Sequence, residues 1–392
     1  MGKILSCGSG CRRTILKTTF VGILVLAAFG DLRNLVGSFG YWFAWGAILF
    51  FGCFSVRPKK LGLLPTVGFL ILALGFILAS LVNGDPATLY QAAKLIVIGL
   101  LVYLTILIQS NMAESDVEQA FRVVVVLVFL VYWVARLLIP FWRVELGDGR
   151  QGVIISYPGV IWKIGFFGFL YFVVTANSRR LLTSICFISI SAFLILIDGS
   201  RTAFILALGC IVALWFRWFA FDARAASQVA LIVVLGALLA SLLASLAFED
   251  FNDFLVFNRL SGGDEHRIAM FKEALRILAA CGTLGCGWGS AMAPNDLLAD
   301  GYMVIHNAYL DALIDGGMIA FLGLLIVTLG SLVQASHRSS KHRLRLNTFS
   351  ALGIGSIAFL YLFHPLSTEM SEWGWMGIVV GAGYVRAKNY SA

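Results

Sequence analysis

The chain has 392 residues, of which 60% are hydrophobic and only 13% charged, with a net charge of +8 and a mean hydropathy of +0.90. Soluble domains draw about 25% of their residues from Asp, Glu, Lys and Arg, so this chain lacks the polar surface to face water on all sides. Its composition excludes a water-soluble enzyme and predicts an all-α polytopic membrane protein.

The first apolar stretch, near 14–30, lacks a small-residue cleavage pattern and is followed at once by another, which predicts a retained helix rather than a cleaved signal. A transmembrane helix needs about 20 apolar residues. By that measure further candidates lie near 37–56, 61–82, 89–108, 119–141, 155–176, 181–197, 202–220, 227–247, 308–333, 347–364 and 371–386, giving about twelve spans. Cytoplasmic loops collect Lys and Arg. With the amino terminus inside, Arg57, Lys59 and Lys60, the pair Arg179 and Arg180, Arg217 and Arg224, and the run from His337 to Arg345 all fall inside as well. Ser110 to Glu118 is the one inside loop with acidic residues instead. An even span count with both termini cytoplasmic is therefore expected. The net charge then reflects topology, and no nucleic-acid partner is expected.

Four cations do not fit this account. Lys94, Arg136, Lys163 and Arg201 fall in or at the ends of apolar spans, and the same orientation puts all of them toward the outer face, which should be poor in Lys and Arg. A basic residue at mid-bilayer costs roughly 2.5–3.5 kcal/mol on insertion scales, so such residues are functional, paired or snorkelling. Together they predict a cationic basin for an anionic group that approaches from the membrane, with guanidinium groups holding phosphate oxygens bidentately. Each alone is equally well explained as a snorkelling cation or half of a structural ion pair.

One long connection, Glu249 to Ile305, divides the chain into a membrane part (1–247), an outer loop (248–305) and a second membrane part (306–392). Within the loop, Asp264 to Ala280 carries Ile268, Phe271, Leu275 and Leu278 at spacings of three and four. That pattern predicts an amphipathic helix lying on the bundle or the interface. Gly282, Gly285, Gly287 and Gly289 follow, where tight backbone paths are expected.

The segment Asp198, Gly199, Ser200, Arg201, Thr202, Ala203 at a helix junction, Arg267 opening the loop helix, the glycine run Leu284 to Gly289, and His306, Asn307, Ala308, Tyr309, Leu310 followed by Asp315, Gly316, Gly317 resemble the O-antigen ligase and polymerase superfamily. The resemblance covers roughly Asp198 to Leu324. It implies a GT-C-like membrane glycosyltransferase with a long periplasmic loop and an active site on the periplasmic face. The donor implied is an undecaprenyl-diphosphate-linked glycan; the acceptor is lipid A core or a growing glycan, and membrane lipid surrounds both. By that likeness Arg201 and Arg267 bind the donor diphosphate and His306 sits at the catalytic centre; the basin cations Arg136, Lys163 and Lys94 and the loop residue Arg259 are further candidates for the diphosphate. Whether His306 acts as base or binds phosphate as a cation is open at this stage.

Plainer roles compete. His306 also suits an interfacial anchor, Arg267 a partner of Asp264 and Glu265, Asn307 a helix cap, and Asp315 with two glycines a kink. The loop acids Glu249, Asp250, Asp253, Asp264 and Glu265 include no metal-ligand spacing, so no metal and no cofactor are expected. Cys281 and Cys286 share the oxidising face, where a small disulfide is feasible. Three functions stay in play: a ligase acting on lipid A core, a polymerase of lipid-linked repeat units, and a transporter or flippase of an anionic substrate.

Overall fold

The computed structural model describes residues 9–57, 61, 64–146, 150–176, 180–221, 223–245, 265–294, 302–336 and 344–385. The helices are α1 (Ser9–Ala28), α2 (Arg33–Cys53), α3 (Leu64–Asn83), α4 (Pro86–Ser110), α5 (Glu114–Leu137), α6 (Ile161–Thr175), α7 (Leu181–Asp198), α8 (Arg201–Phe221), α9 (Ala223–Ser245), α10 (Glu265–Ala280), α11 (Ala308–Leu325), α12 (Leu344–Leu360) and α13 (Met370–Ala382). α11 runs on through a π turn, Ile326–Gly330, and a last stretch, Ser331–Ser336. Two antiparallel hairpins complete the described structure: β1 (Arg143–Glu145) with β2 (Gln151–Val153), and β3 (Met292–Pro294) with β4 (Tyr302–Val304).

Every predicted span falls on one of these helices, and local chemistry explains where the boundaries differ. α4 begins at Pro86 because the Asp85 side chain accepts from the amides of Ala87 and Thr88, an N-cap with proline in the first turn. α5 stops at Leu137 because Ile139 precedes Pro140, and the proline ring disfavours helical backbone in the residue before it. Pro158 likewise delays α6 to Ile161. Among the described residues, six helical stretches are long and apolar enough to cross a membrane: Gly30–Cys53, Leu64–Asn83, Pro86–Ser110, Glu114–Leu137, Leu181–Asp198 and Ala308–Ala335. The expected twelve is a larger number. At 1.5 Å per residue the 13 residues of α13 extend about 20 Å, short of a hydrocarbon core of about 30 Å.

The helices that carry the loop pack backbone to backbone. α3 runs antiparallel to α11, and a β-carbon placed on Gly68 would fall 2.7 Å from the amide nitrogen of Val327. On Gly75 it would collide with the backbone of Ala320, and on Gly323 with that of Leu72. Small residues that let backbones meet are the usual means of joining helices in lipid, where burial from water no longer drives association. α13 uses the same device against α4, with Gly377 beside Thr105 and Gly381 beside Gln109.

One substitution made at two places separates packing from helix propensity. Gly355 in α12 has open space where a β-carbon would go, so Gly355→Ala should stabilise by up to about 1 kcal/mol. Gly75→Ala should destabilise by roughly 1–3 kcal/mol through overpacking. Thermal unfolding in detergent checks both, and equal midpoints for the two variants would contradict the α3 to α11 contact.

Candidate active site

The site is organised by a break in α11. Gly317 has φ +75° inside an otherwise helical segment, a value that suits glycine. Where a straight helix would join the amide of Met318 to the carbonyl of Ile314, the loop after α10 takes both groups. Met318 N donates to Thr283 O at 2.9 Å, and Cys286 N donates to Ile314 O at 2.7 Å. Gly287 N donates to Asp315 O at 3.0 Å. The expected kink is therefore present, and an inserted loop causes it.

Glycine is required on both sides of this contact. A β-carbon on Gly285 would lie 2.5 Å from Gly317 N, and one on Gly317 would strike the backbone of Thr283 and Leu284. The buried Asp315 carboxylate accepts from Gly289 N at 3.0 Å and Ala291 N at 2.9 Å, so its charge is met by backbone amides. Cys281 and Cys286 are joined as a disulfide. The outer side of the loop is held by Asn83, whose Nδ2 donates to Gly285 O at 3.1 Å, and by Thr88, whose Oγ1 accepts from Trp288 N at 2.6 Å. The Thr88 hydroxyl and nearby amides hold the Asp85 carboxyl below the usual carboxylate range.

From this loop the chain enters the β3–β4 hairpin, where Ile305 N donates to Ala291 O at 3.0 Å, and then reaches His306. His306 Nδ1 lies 2.9 Å from Val304 O. A carbonyl can only accept, so Nδ1 carries a hydrogen in this contact. Asn307 caps α11, its side chain accepting from Tyr309 N and Leu310 N at 3.1 and 3.0 Å. Ala308 N donates to Tyr361 O, and Asp311 Oδ2 accepts from Leu366 N. The segment between α12 and α13 is thereby docked against the start of α11.

α10 forms as expected, but the expected stripe divides. Met270 and Ala274 are buried against Ala291, Ala293, Ile305 and Ile314, with Ile277 and Leu278 at the margin. Phe271 and Leu275 remain 47% and 46% exposed. Spacings of three and four recur on either edge of a wide apolar arc, so periodicity alone did not say which edge would pack. The path of α10 through Arg267 and Glu265 is described, their side chains and that of His266 are not, and Arg259 and the acids Glu249, Asp250, Asp253 and Asp264 lie outside the described residues.

Arg201 opens α8 directly after a corner made by Asp198, Gly199 and Ser200. Gly199 takes φ +65° at the end of α7, and the Ser200 hydroxyl accepts from Ala203 N. Asp198 is fully buried and accepts from Gly159 N at 2.7 Å and Trp162 N at 3.3 Å, which fastens the corner to the start of α6. The Trp162 ring in turn lies 6.4 Å from that of His364, in the segment docked on α11. Arg201 thus follows a corner fastened to α6, and His306 precedes the start of α11, on which the His364 segment docks.

Lys163, Lys94 and Arg136 have visible partners. Lys163 pairs with Glu372. Lys94 pairs with Glu369 at 2.8 Å and sits between the rings of Trp42 and Tyr90. Arg136 donates to Gln151 Oε1 at 3.0 Å. Arg33 reaches Glu369 at 3.6 Å and Asp31 at 3.9 Å. Glu369, Glu372 and Arg33 escaped the reading of the sequence, which followed intramembrane cations alone. A search for carboxylates at the same end of other spans would have found the partners. Among the described residues no group of three His, Cys, Asp or Glu side chains is placed to hold a metal ion.

Docking of the loop can be tested through its glycine. Backbone strain of this kind costs about 1–3 kcal/mol, so Gly317→Ala should raise the undocked population by roughly 5- to 150-fold. Faster cleavage of the loop by added protease would report it, and a wild-type cleavage rate would contradict the docking.

No curated protein matches the chain. Residues 185–325 match the family model described as O-antigen ligase. The matched stretch begins in α7 and ends with α11, so it takes in Arg201, Arg267, the loop, His306 and the kink, and leaves out Lys94, Arg136 and Lys163. This match supports the likeness to the O-antigen ligase and polymerase superfamily over residues 185–325.

Proposed function

We propose that this chain transfers a glycan from an undecaprenyl-diphosphate carrier to an acceptor hydroxyl, and that the acceptor is lipid A core, which makes it an O-antigen ligase of lipopolysaccharide biosynthesis. The observation that carries the proposal is the contact of His306 Nδ1 with Val304 O at 2.9 Å, which fixes the ring at the start of α11 inside the matched stretch; Nε2 is proposed as the basic atom. In the proposed reaction the acceptor oxygen attacks the anomeric carbon and its proton passes to His306 Nε2. The bond from that carbon to the diphosphate breaks, and the diphosphate leaves with the electron pair. Arg201 and Arg267 are proposed to hold the leaving diphosphate, because fixed guanidinium donors stabilise growing negative charge without reorganising.

Lys94 and Lys163 take a different place in this scheme. Each already faces a carboxylate, so they are proposed to shape the site around the donor and to contribute less net charge to it. The reaction is proposed to need no metal ion. The loop end of the bundle is proposed to face the periplasm, with both termini in the cytoplasm of a bacterium and the helices in its inner membrane.

Purified protein in liposomes, given a synthetic undecaprenyl-diphosphate oligosaccharide with or without lipid A core, tests the proposal on a gel. A single product that appears only with the acceptor is expected. A ladder from donor alone would make the protein a polymerase, and no covalent product would favour a transporter. His306→Ala should lower turnover by about 10²–10⁴-fold, the usual contribution of general base catalysis, while the protein still inserts. Arg201→Ala and Arg267→Ala should raise KM for the donor more than for the acceptor, and Arg201→Lys should restore only part, since an ammonium lacks the planar fork.

A further inference from the structure

α10 has a second apolar face that the described residues leave exposed. At about 100° per residue, Phe271 and Leu275 lie roughly 80–120° around the helix from the centre of the inner face formed by buried Met270 and Ala274 and partly buried Ile277, Leu278 and Cys281. Lys272 and Arg276, both exposed, lie on the side opposite that face, and Arg276 is bonded to Glu273. The helix therefore shows one side to α11, an adjacent apolar side to its surroundings, and a cationic side beyond it.

α3 fixes the depth at which this helix lies. Its 20 residues extend about 30 Å, the thickness of a hydrocarbon core, and it ends in the polar turn Asn83, Gly84, Asp85. That turn marks the edge of the core on the loop side. Asn83 and Thr88 bind Gly285 and Trp288, so the loop sits level with the edge. Cys281 ties α10 to this loop, and the helix packs beside Leu310 and Ile314.

We infer that α10 lies in the membrane interface, with Phe271 and Leu275 inserted at the acyl boundary of the adjoining leaflet and Lys272 and Arg276 at the level of the lipid phosphates. An amphipathic helix with an apolar face of this kind and flanking cations binds in the interface plane and favours anionic lipid. The partner of the uncovered face is the lipid bilayer itself. The inference rests on helix geometry and burial and not on the proposed transfer reaction, but it would set Arg267, one turn before Phe271, on a helix at the height where a lipid-borne diphosphate travels.

The test is fluorine NMR on full-length protein in nanodiscs of phosphatidylethanolamine and phosphatidylglycerol, with no glycolipid added. 4-Trifluoromethylphenylalanine replaces Phe271 in one preparation and Lys272 in another. Relaxation by a lipid carrying a spin label near the headgroup is compared with relaxation by a soluble gadolinium chelate. The ratio of lipid to aqueous relaxation should be at least threefold higher at 271 than at 272. Equal ratios, or a higher one at 272, would overturn the inference, and so would protection of 271 from both agents, which would put the face against protein. Because no substrate enters the experiment, its outcome is separate from whether the protein transfers glycans.

Discussion

In a straight helix the carbonyl of Ile314 would take the amide of Met318. Here a loop from outside the bundle takes both, and the rest of the loop end hangs on that exchange. The carbonyl and the amide are each satisfied by loop partners at ordinary hydrogen-bond lengths, so the break leaves neither of them unpaired. The Asp315 carboxylate then extends the lock to Gly289 and Ala291, and the Cys281 to Cys286 bond closes the loop on itself. α10 enters the lock and the β3–β4 hairpin leaves it, so a helix bearing one proposed diphosphate ligand and a strand leading to the proposed base are both positioned from a single anchor.

The electrostatics of the same end follow a second rule. A charge in lipid is costly unless it is paired, and the bundle meets that cost with Glu369 against Lys94 and Arg33 and Glu372 against Lys163. These pairs join α4, α6 and the start of α2 to the start of α13. Of the four intramembrane cations, Lys94 and Lys163 thus have their charge offset by a carboxylate. In the proposed reaction Arg201 and Arg267 hold the donor diphosphate, and both lie inside the matched stretch.

Much of this was legible in the sequence because lipid leaves few choices. Long apolar runs in a bilayer become helices, since no other open structure satisfies their backbone, and each predicted run is helical. Local signals also held: Asn307 caps α11, and Asp315 with Gly316 and Gly317 marks a kink. What was not legible depended on contacts distant in sequence. Nothing local to Phe271 or Met270 says which will meet Ile314. Hairpins of three residues per strand are too short for a period-2 pattern to register. Glu369 and Glu372 acquire meaning only when α13 is set beside α4 and α6.

Hydrogen exchange on wild-type protein and on Asp315→Ala in nanodiscs measures the anchor directly. If the lock organises the loop end, the amides from 282 to 291 and those of the β3–β4 hairpin are protected in the wild type and lose protection together in the variant, while α3 between Gly68 and Gly75 is unchanged. Protection in the loop and hairpin that survives the loss of the Asp315 carboxylate would contradict the account.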